Sequence, residues 1–206
     1  MPQGDIVGLL IMATVAGLAM PAGAILATYQ GIQSKWLEKE LRHGILALGA
    51  GALISAVGLV LVPEGIKDVS VFAAIACFVG GALAFMALDI YLAKKQTAGS
   101  QLAAMLSDFV PESIALGTTA ALGGGTMLLG LLIAVQNLPE GFNAYREMLP
   151  KNKQRSTKLI LLFIGMALLG PLFSLVGFYY LAQFPVIMSG IMLFAAGGIL
   201  YSVFQD

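Results

Sequence analysis

Residues 71–93 read VFAAIACFVGGALAFMALDIYLA, a run of 23 residues in which Asp89 is the only charged side chain. A helix of about 20 apolar residues crosses the hydrocarbon core of a bilayer, so this run predicts a transmembrane helix. Six other segments have the same character. The sequence therefore predicts one all-α, polytopic transmembrane domain over residues 1–206. Its seven helices are expected at 6–29, 43–62, 71–93, 101–122, 126–145, 159–182 and 186–204.

The composition of the whole chain is typical of a protein embedded in a lipid bilayer. Hydrophobic residues make up 59% of the chain and charged residues 11%, and the mean hydropathy is +0.91. Soluble domains contain about 45–50% apolar and about 25% charged residues, so a soluble enzyme, a disordered protein and a nucleic-acid-binding protein are excluded. The single cysteine, Cys77, excludes a disulfide framework and a multi-cysteine metal site.

The lysine and arginine residues predict the orientation in a cell membrane. Ten of the eleven lie in the connections 30–42, 94–100 and 146–158, and Lys67 alone lies on the opposite side. Cytoplasmic connections carry an excess of Lys and Arg, so these three are expected to be cytoplasmic, with the N-terminus outside.

Four acidic residues lie within the predicted helices, where an ionisable side chain costs at least about 2.5–3.5 kcal/mol on insertion scales. Asp89 is about one turn from a helix end, and we interpret it as reaching the interface or capping a neighbour. Asp108 and Glu112 are four residues apart and therefore share one face of the fourth helix. The last of the four, Glu140, lies on the fifth helix.

The fifth helix repeats this spacing with Gln136 and Glu140, and Asn137 and Asn143 lie beside them. Counted from the cytoplasmic ends, each pair is 7 and 11 residues deep. At about 1.5 Å per residue, both pairs lie about 10–17 Å into the membrane, on adjacent antiparallel helices.

Each pair also brackets a proline, Pro111 or Pro139, which leaves backbone carbonyls without their helical donors. Two interpretations fit this arrangement. In one, protonated carboxyl groups and amides form a polar network that fixes helix packing. In the other, which explains more of the pattern, the carboxylate and amide oxygens bind a divalent cation.

These residues resemble the Zrt/Irt-like (ZIP) family of divalent metal transporters. Residues 108–113 are similar to the family pattern His-Asn-x-Pro-Glu/Asp-Gly of the fourth helix. Residues 136–141 are similar to the fifth-helix pattern His/Gln-Asn/Asp/Glu-x-Pro-Glu-Gly/His. The extended stretch 110–117 and the second segment, which leads to Pro63-Glu64-Gly65, are also similar to the family.

The resemblance implies transport of a divalent metal, with Asp108, Glu112, Gln136 and Glu140 as ligands and Asn137 beside them. Zn²⁺ is the family's commonest substrate, and Cd²⁺, Fe²⁺, Mn²⁺ and Co²⁺ are the others implied. Three carboxylates and an amide form a harder ligand set than one with imidazole, which favours Mn²⁺, Fe²⁺ or Co²⁺. The family also implies passive or elevator-type import, and many members are homodimers.

Three departures from the family pattern are visible. Asp108 stands where the family usually has His, and Phe109 stands where it usually has Asn. The sixth helix lacks the glutamate that precedes proline in some members, since Leu168, Leu169 and Gly170 precede Pro171. One metal site is therefore expected rather than two. The lone His43, at the predicted start of a helix, is interpreted as an interfacial residue.

The family has eight helices, arranged as inverted three-helix repeats around a central pair. Residues 50–54 are similar to residues 196–200, which supports such a repeat. An eighth helix is therefore expected beyond the seventh, or a partner chain in its place. Without it, the small-residue surface of the seventh helix, at Gly197 and Gly198, is expected to lack a neighbour.

Two functional classes other than a transporter can be compared with this sequence. A non-transporting metal sensor or interaction protein of the same fold remains an alternative, because positions 108, 109 and 170 lack the usual ligands. An intramembrane hydrolase is disfavoured, since the only histidine is His43 and no Gly-x-Ser-x-Gly motif occurs. The chain is therefore not expected to be an enzyme.

Overall fold

The computed structural model describes residues 5–28, 35–94, 98–149 and 156–205, and all regular secondary structure in these ranges is helical. A π-helical turn lies at Val57–Leu61 and a 3₁₀ turn at Leu181–Gln183. The α-helices are α1 (Ile6–Ala27), α2 (Lys35–Ala56), α3 (Val62–Gly65), α4 (Val71–Ala93), α5 (Ala98–Ala121), α6 (Thr126–Met148), α7 (Thr157–Ala167), α8 (Leu169–Tyr179) and α9 (Pro185–Gln205).

Five stretches of described helix are long and apolar enough to cross a membrane, so the protein is an all-α, multi-pass membrane protein. They are Ile6–Ala27, His43–Gly65, Val71–Leu92, Thr157–Gln183 and Pro185–Gln205. The other two long helices, α5 and α6, have 24 and 23 residues but are not among the five. They are less apolar because they carry the acidic and amide side chains of the candidate site.

Two predicted helices differ from the structure by more than a few residues at their ends. The second helix begins at Lys35 instead of residue 43, so His43 is exposed within α2 and does not begin the helix. The added residues 35–42 are mostly polar, and the prediction depended on an apolar run that does not include them. The sixth segment, expected as one helix, is interrupted at Leu168 between α7 and α8. Pro171 explains this break, because its ring clashes with the carbonyl four residues earlier.

A proline also accounts for the π-helical turn. Pro63 has no N–H to donate to the carbonyl of Leu59, and the turn at Val57–Leu61 lies directly before it. The backbone N–H of Val62 instead donates to the carbonyl of Val57, five residues back. Such turns locally widen a helix and are frequent at functional sites.

Three helix pairs approach closely through reciprocal glycines. At each of these glycines a methyl group would overlap a backbone carbonyl oxygen of the opposing helix, so only glycine allows the contact. The pairs are Gly23 and Gly141 between α1 and α6, Gly117 and Gly177 between α5 and α8, and Gly81 and Gly197 between α4 and α9.

The last pair corrects one expectation from the sequence. The small-residue surface of the seventh helix does have a neighbour, because Gly197 packs on the backbone carbonyl of Phe78 and Gly198 packs on the ring of Phe85. Both phenylalanines belong to α4. The sequence could not reveal this contact, since it depends on how α4 and α9 pair in space.

The core lies around α5 and α6. Phe109 of α5 and Tyr145 of α6 are fully buried, as are Leu9 and Met20 of α1 and Phe163 of α7. α1 packs mainly on α6, and α8 packs mainly on α5. The two helices that carry the polar residues are thus shielded by apolar helices, whereas α4 is mostly exposed.

Candidate cation site

Glu112 carries a buried carboxyl group between α5 and α6. It lies one helical turn after Asp108 on α5, and only 1% of its surface is exposed. Helical periodicity places both side chains on one face, as the sequence predicted. Asp108 is half-buried and lines a cavity, whereas Glu112 is not one of the residues that line it.

Gln136 joins the two helices. Its side-chain nitrogen, Nε2, donates a hydrogen bond to Oε2 of Glu112, and 4% of Gln136 is exposed. Glu140 lies one turn later on α6, half-buried in the wall of the same cavity as Asp108. The structure therefore brings together the two pairs that the spacing predicted.

Several buried oxygen atoms at this place have no hydrogen-bond partner within the described ranges. They are Oε1 of Glu112, Oε1 of Gln136, Oδ1 of Asn137 and Oδ1 of Asn143. Leaving a buried acceptor unpaired costs about 1–3 kcal/mol, more for a charged group, so each such atom in a folded protein calls for an explanation. Carboxylate and amide oxygen atoms of this kind can bind a cation.

The cavity has a volume of about 630 Å³ and extends from Gln136 toward one end of the molecule. Its walls are the C-terminal halves of α2, α4, α6 and α9 and the N-terminal half of α5. Among the described residues that line it, every side chain charged at neutral pH is a carboxylate: Asp89, Asp108, Glu140 and Glu147. The surrounding charge therefore favours cations over anions.

The carboxylates surround the cavity but do not converge on one point. Within the described chain, no three His, Cys, Asp or Glu side chains form a group that could hold a metal ion. Hard divalent cations often keep several water ligands and use only one or two carboxylates. The arrangement therefore suits a partly hydrated cation more than a fully dehydrated one.

Asn137 lies apart from the other predicted ligands. Its side-chain nitrogen donates to the backbone carbonyl of Ala16 on α1 at 2.8 Å, and the residue is fully buried. It does not line the cavity. In this structure Asn137 therefore fixes α6 against α1, and a ligand role for it stays a prediction.

Sequence reasoning did not assign Asp89, Glu147 or Tyr201 to the site, although all three line the cavity. Asp89 accepts a hydrogen bond of 3.3 Å from the hydroxyl of Tyr201, and both line the cavity with Glu147. Glu147 was detectable, because residues 136, 140, 143 and 147 recur on one helix face. The contact between Asp89 and Tyr201 had no local signal, since it joins residues 112 positions apart.

No family model matches the chain, and no curated protein matches it at a significant level.

Proposed function

We propose that this chain is a transporter of divalent transition-metal cations of the ZIP type, and that the ion binds between α5 and α6. The observation that carries the proposal is the group of buried oxygen atoms on Glu112, Gln136 and Asn143 that lack partners within the described residues. Gln136, which donates to Glu112, and Asn143 line a cavity whose charged side chains, among the described residues, are all acidic. Carriers commonly bind substrates near the membrane midplane.

The polar-network interpretation accounts less well for these oxygen atoms. The structure has the amide nitrogen of Gln136 donating to Glu112 and that of Asn137 donating to Ala16, and neither donates to one of the unpaired oxygen atoms. A proton on Glu112 would add one donor, fewer than the acceptor oxygen atoms that lack partners within the described residues. An excess of acceptors is the condition that a cation satisfies and a closed network avoids.

The helix pairing supports the rest of the architecture. In an inverted repeat of the ZIP type, the pair α1–α6 corresponds to the pair formed by the sixth segment and α5. Both pairs exist here, and both close through reciprocal glycines, Gly23 with Gly141 and Gly117 with Gly177. We therefore include α5 and α6 as spanning helices, which gives seven spans. With the N-terminus outside, the acidic cavity faces the cytoplasm.

In this proposal Glu112 and Gln136 provide the deepest ligands, and Asp108 and Glu140 complete the site from the cavity. A ligand set of carboxylates and amides favours Mn²⁺, Fe²⁺ or Co²⁺, while Zn²⁺ and Cd²⁺ follow from the family resemblance. The chemistry needs no bond to be made or broken in a substrate, so the chain acts as a carrier and not as an enzyme.

Uptake into liposomes tests the proposal. The protein is reconstituted into liposomes that enclose a metal-sensitive dye, and the initial rate of metal uptake is measured. The samples are the wild type, Glu112→Gln, Glu140→Gln and the control Glu40→Gln, whose side chain is exposed on α2. We expect the wild type and the control to transport, and the two site variants to lose about tenfold or more, as for disrupted metal sites.

Equilibrium metal binding on the same samples separates transport from sensing. Wild-type protein that binds metal but does not move it would favour the alternative of a non-transporting metal sensor. Wild-type protein that neither binds nor transports divalent cations would contradict the proposal.

A further inference from the structure

A second cavity lies at the opposite end of the helices and shares no residue with the first. Its volume is about 280 Å³. It is enclosed by the C-terminal end of α3 with the turn that follows, the C-terminal end of α5 and the N-terminal part of α9. Its polar lining residues are Glu64, Lys67, Asp68, Thr118, Thr119 and Ser189.

Thr119 gives the clearest sign that this cavity takes a ligand. The residue is 2% exposed, and its hydroxyl oxygen has no hydrogen-bond partner among the described residues. A threonine hydroxyl in a helix usually bonds the carbonyl four residues back, as that of Thr118 does with Ile114 at 3.0 Å. Thr119 forgoes this bond while lining the cavity, at a cost of about 1–3 kcal/mol for a buried unpaired group.

The charges of the cavity favour a cation. Glu64 and Asp68 provide two carboxylates, and Lys67 provides one ammonium group, which lies 2.7 Å from Oε1 of Glu64. The C-terminal end of α5 adds partial negative charge, which the N-terminal turn of α9 partly opposes. Among the described residues that line the cavity, the carboxylates therefore outnumber the lysine, and that lysine pairs with Glu64.

The ammonium group of Lys67 is exposed enough to be displaced from Glu64. Its side chain is 57% exposed and that of Glu64 is 27% exposed, so the pair lies at the mouth of the cavity. An exposed ion pair of this kind contributes only about 0.2–1 kcal/mol. A divalent cation, with twice the charge, can displace the ammonium group from Glu64 without breaking other contacts of the fold.

We infer that this second cavity is a second cation site, called the outer site because it lies on the proposed outer side of the membrane. Glu64, Asp68 and the hydroxyl of Thr119 hold a hydrated divalent cation there. Lys67 takes the place of the cation when the site is empty. The inference rests on the proposed function, because it makes this cavity the place where the ion is captured before it reaches Glu112. A hydrated ion suits the site, since the cavity is large compared with one water and the oxygen ligands are few.

Mn²⁺ binding measured by electron paramagnetic resonance tests the inference on the full chain in nanodiscs. We expect two Mn²⁺ per wild-type chain and two for the control Glu40→Gln. Asp68→Asn removes one ion, and Glu112→Gln removes the other. Thr119→Val, which keeps the side-chain shape, weakens the outer site about three- to tenfold. Lys67→Met, which removes the competing ammonium group, strengthens it about two- to fivefold.

The outcomes separate the two proposals. If Asp68→Asn and Thr119→Val bind Mn²⁺ like the wild type, the outer site is refuted, and the site at Glu112 stands provided that Glu112→Gln still removes an ion. If Glu112→Gln changes nothing while Asp68→Asn removes an ion, the inner site is refuted and the outer site stands. Wild-type protein that binds no Mn²⁺ refutes both.

Discussion

Gln136 fixes the orientation of the buried carboxyl group of Glu112 by a hydrogen bond to one of its two oxygen atoms. Its nitrogen donates to one carboxylate oxygen, which orients the amide and leaves its own oxygen and the other carboxylate oxygen as acceptors. Neither residue alone would create this arrangement. An amide that only packed between helices could satisfy both of its ends. Here the amide oxygen of Gln136 and Oε1 of Glu112 both lack a donor within the described residues, and Gln136 lines the acidic cavity.

Asp108 determines metal preference in this account. Asp108→His replaces a hard carboxylate with an imidazole, which suits Zn²⁺ better than Mn²⁺. We expect competition binding to show a shift toward Zn²⁺ of about tenfold, on the scale typical of changes at metal sites. Glu40→Gln, on the exposed surface of α2, serves as the control and should leave selectivity unchanged. Equal selectivity in Asp108→His and wild type would exclude Asp108 as a ligand.

Metal affinity should fall as the medium becomes more acidic. If Asp108, Glu112 and Glu140 are the ligands, protons compete with the cation for their oxygen atoms, and each ion bound should release protons. Titration calorimetry from about pH 8 to about pH 5, in buffers of different ionisation enthalpy, measures both affinity and proton release. An affinity that is the same across this range would mean that carboxylates are not the ligands.

At this scale the sequence predicted the pairs but not every orientation. Spacing of four residues puts Asp108 with Glu112, and Gln136 with Glu140, whatever the helices pack against. Asn137 follows Gln136 by about 100° around the helix, so the two amides face different neighbours. Only the position of α1, whose Ala16 carbonyl accepts from Asn137, reveals what the second amide contacts.

Among the helices, reciprocal glycines fix which ones pack together. We expect Gly177→Ala to destabilise the protein by about 1–3 kcal/mol, because the new methyl group would overlap the carbonyl oxygen of Ile114. The matched control is Gly165→Ala on α7, which has open space around it and should be neutral or slightly stabilising. Unfolding in detergent measures both. Equal stability of the two variants would contradict close packing of α5 on α8.

Helix existence was predictable from apolar length, while interruptions were not. Runs such as residues 6–27 and 71–93 are helical as expected, because an apolar segment of this length has no other way to pair its backbone in lipid. Pro111 and Pro139 lie inside continuous helices, whereas Pro171 follows a break. The same residue type has different effects because neighbouring helices decide whether the freed carbonyls find partners.

For the molecule as a whole, the number of spans depends on α5 and α6. Five apolar helices are evident, and seven are proposed. Cysteine labelling distinguishes these counts at the turn between α5 and α6. In a Cys77→Ala background, Leu122→Cys, 58% exposed in the structure, should react with a membrane-impermeant reagent from outside, as should Lys67→Cys. Lys94→Cys should not. If Leu122→Cys reacts only from the cytoplasmic side, α5 and α6 do not cross.

The most direct test of the central claim is anomalous scattering from crystals soaked in Mn²⁺ or Zn²⁺. The account predicts a peak between α5 and α6, with Oε1 of Glu112 and Oε1 of Gln136 at about 2.0–2.2 Å from a bound Zn²⁺. The same crystals of Glu112→Gln should lose this peak. Crystals that show no metal there, with those oxygen atoms hydrogen-bonded to ordered water or to protonated carboxyl groups, would contradict the account.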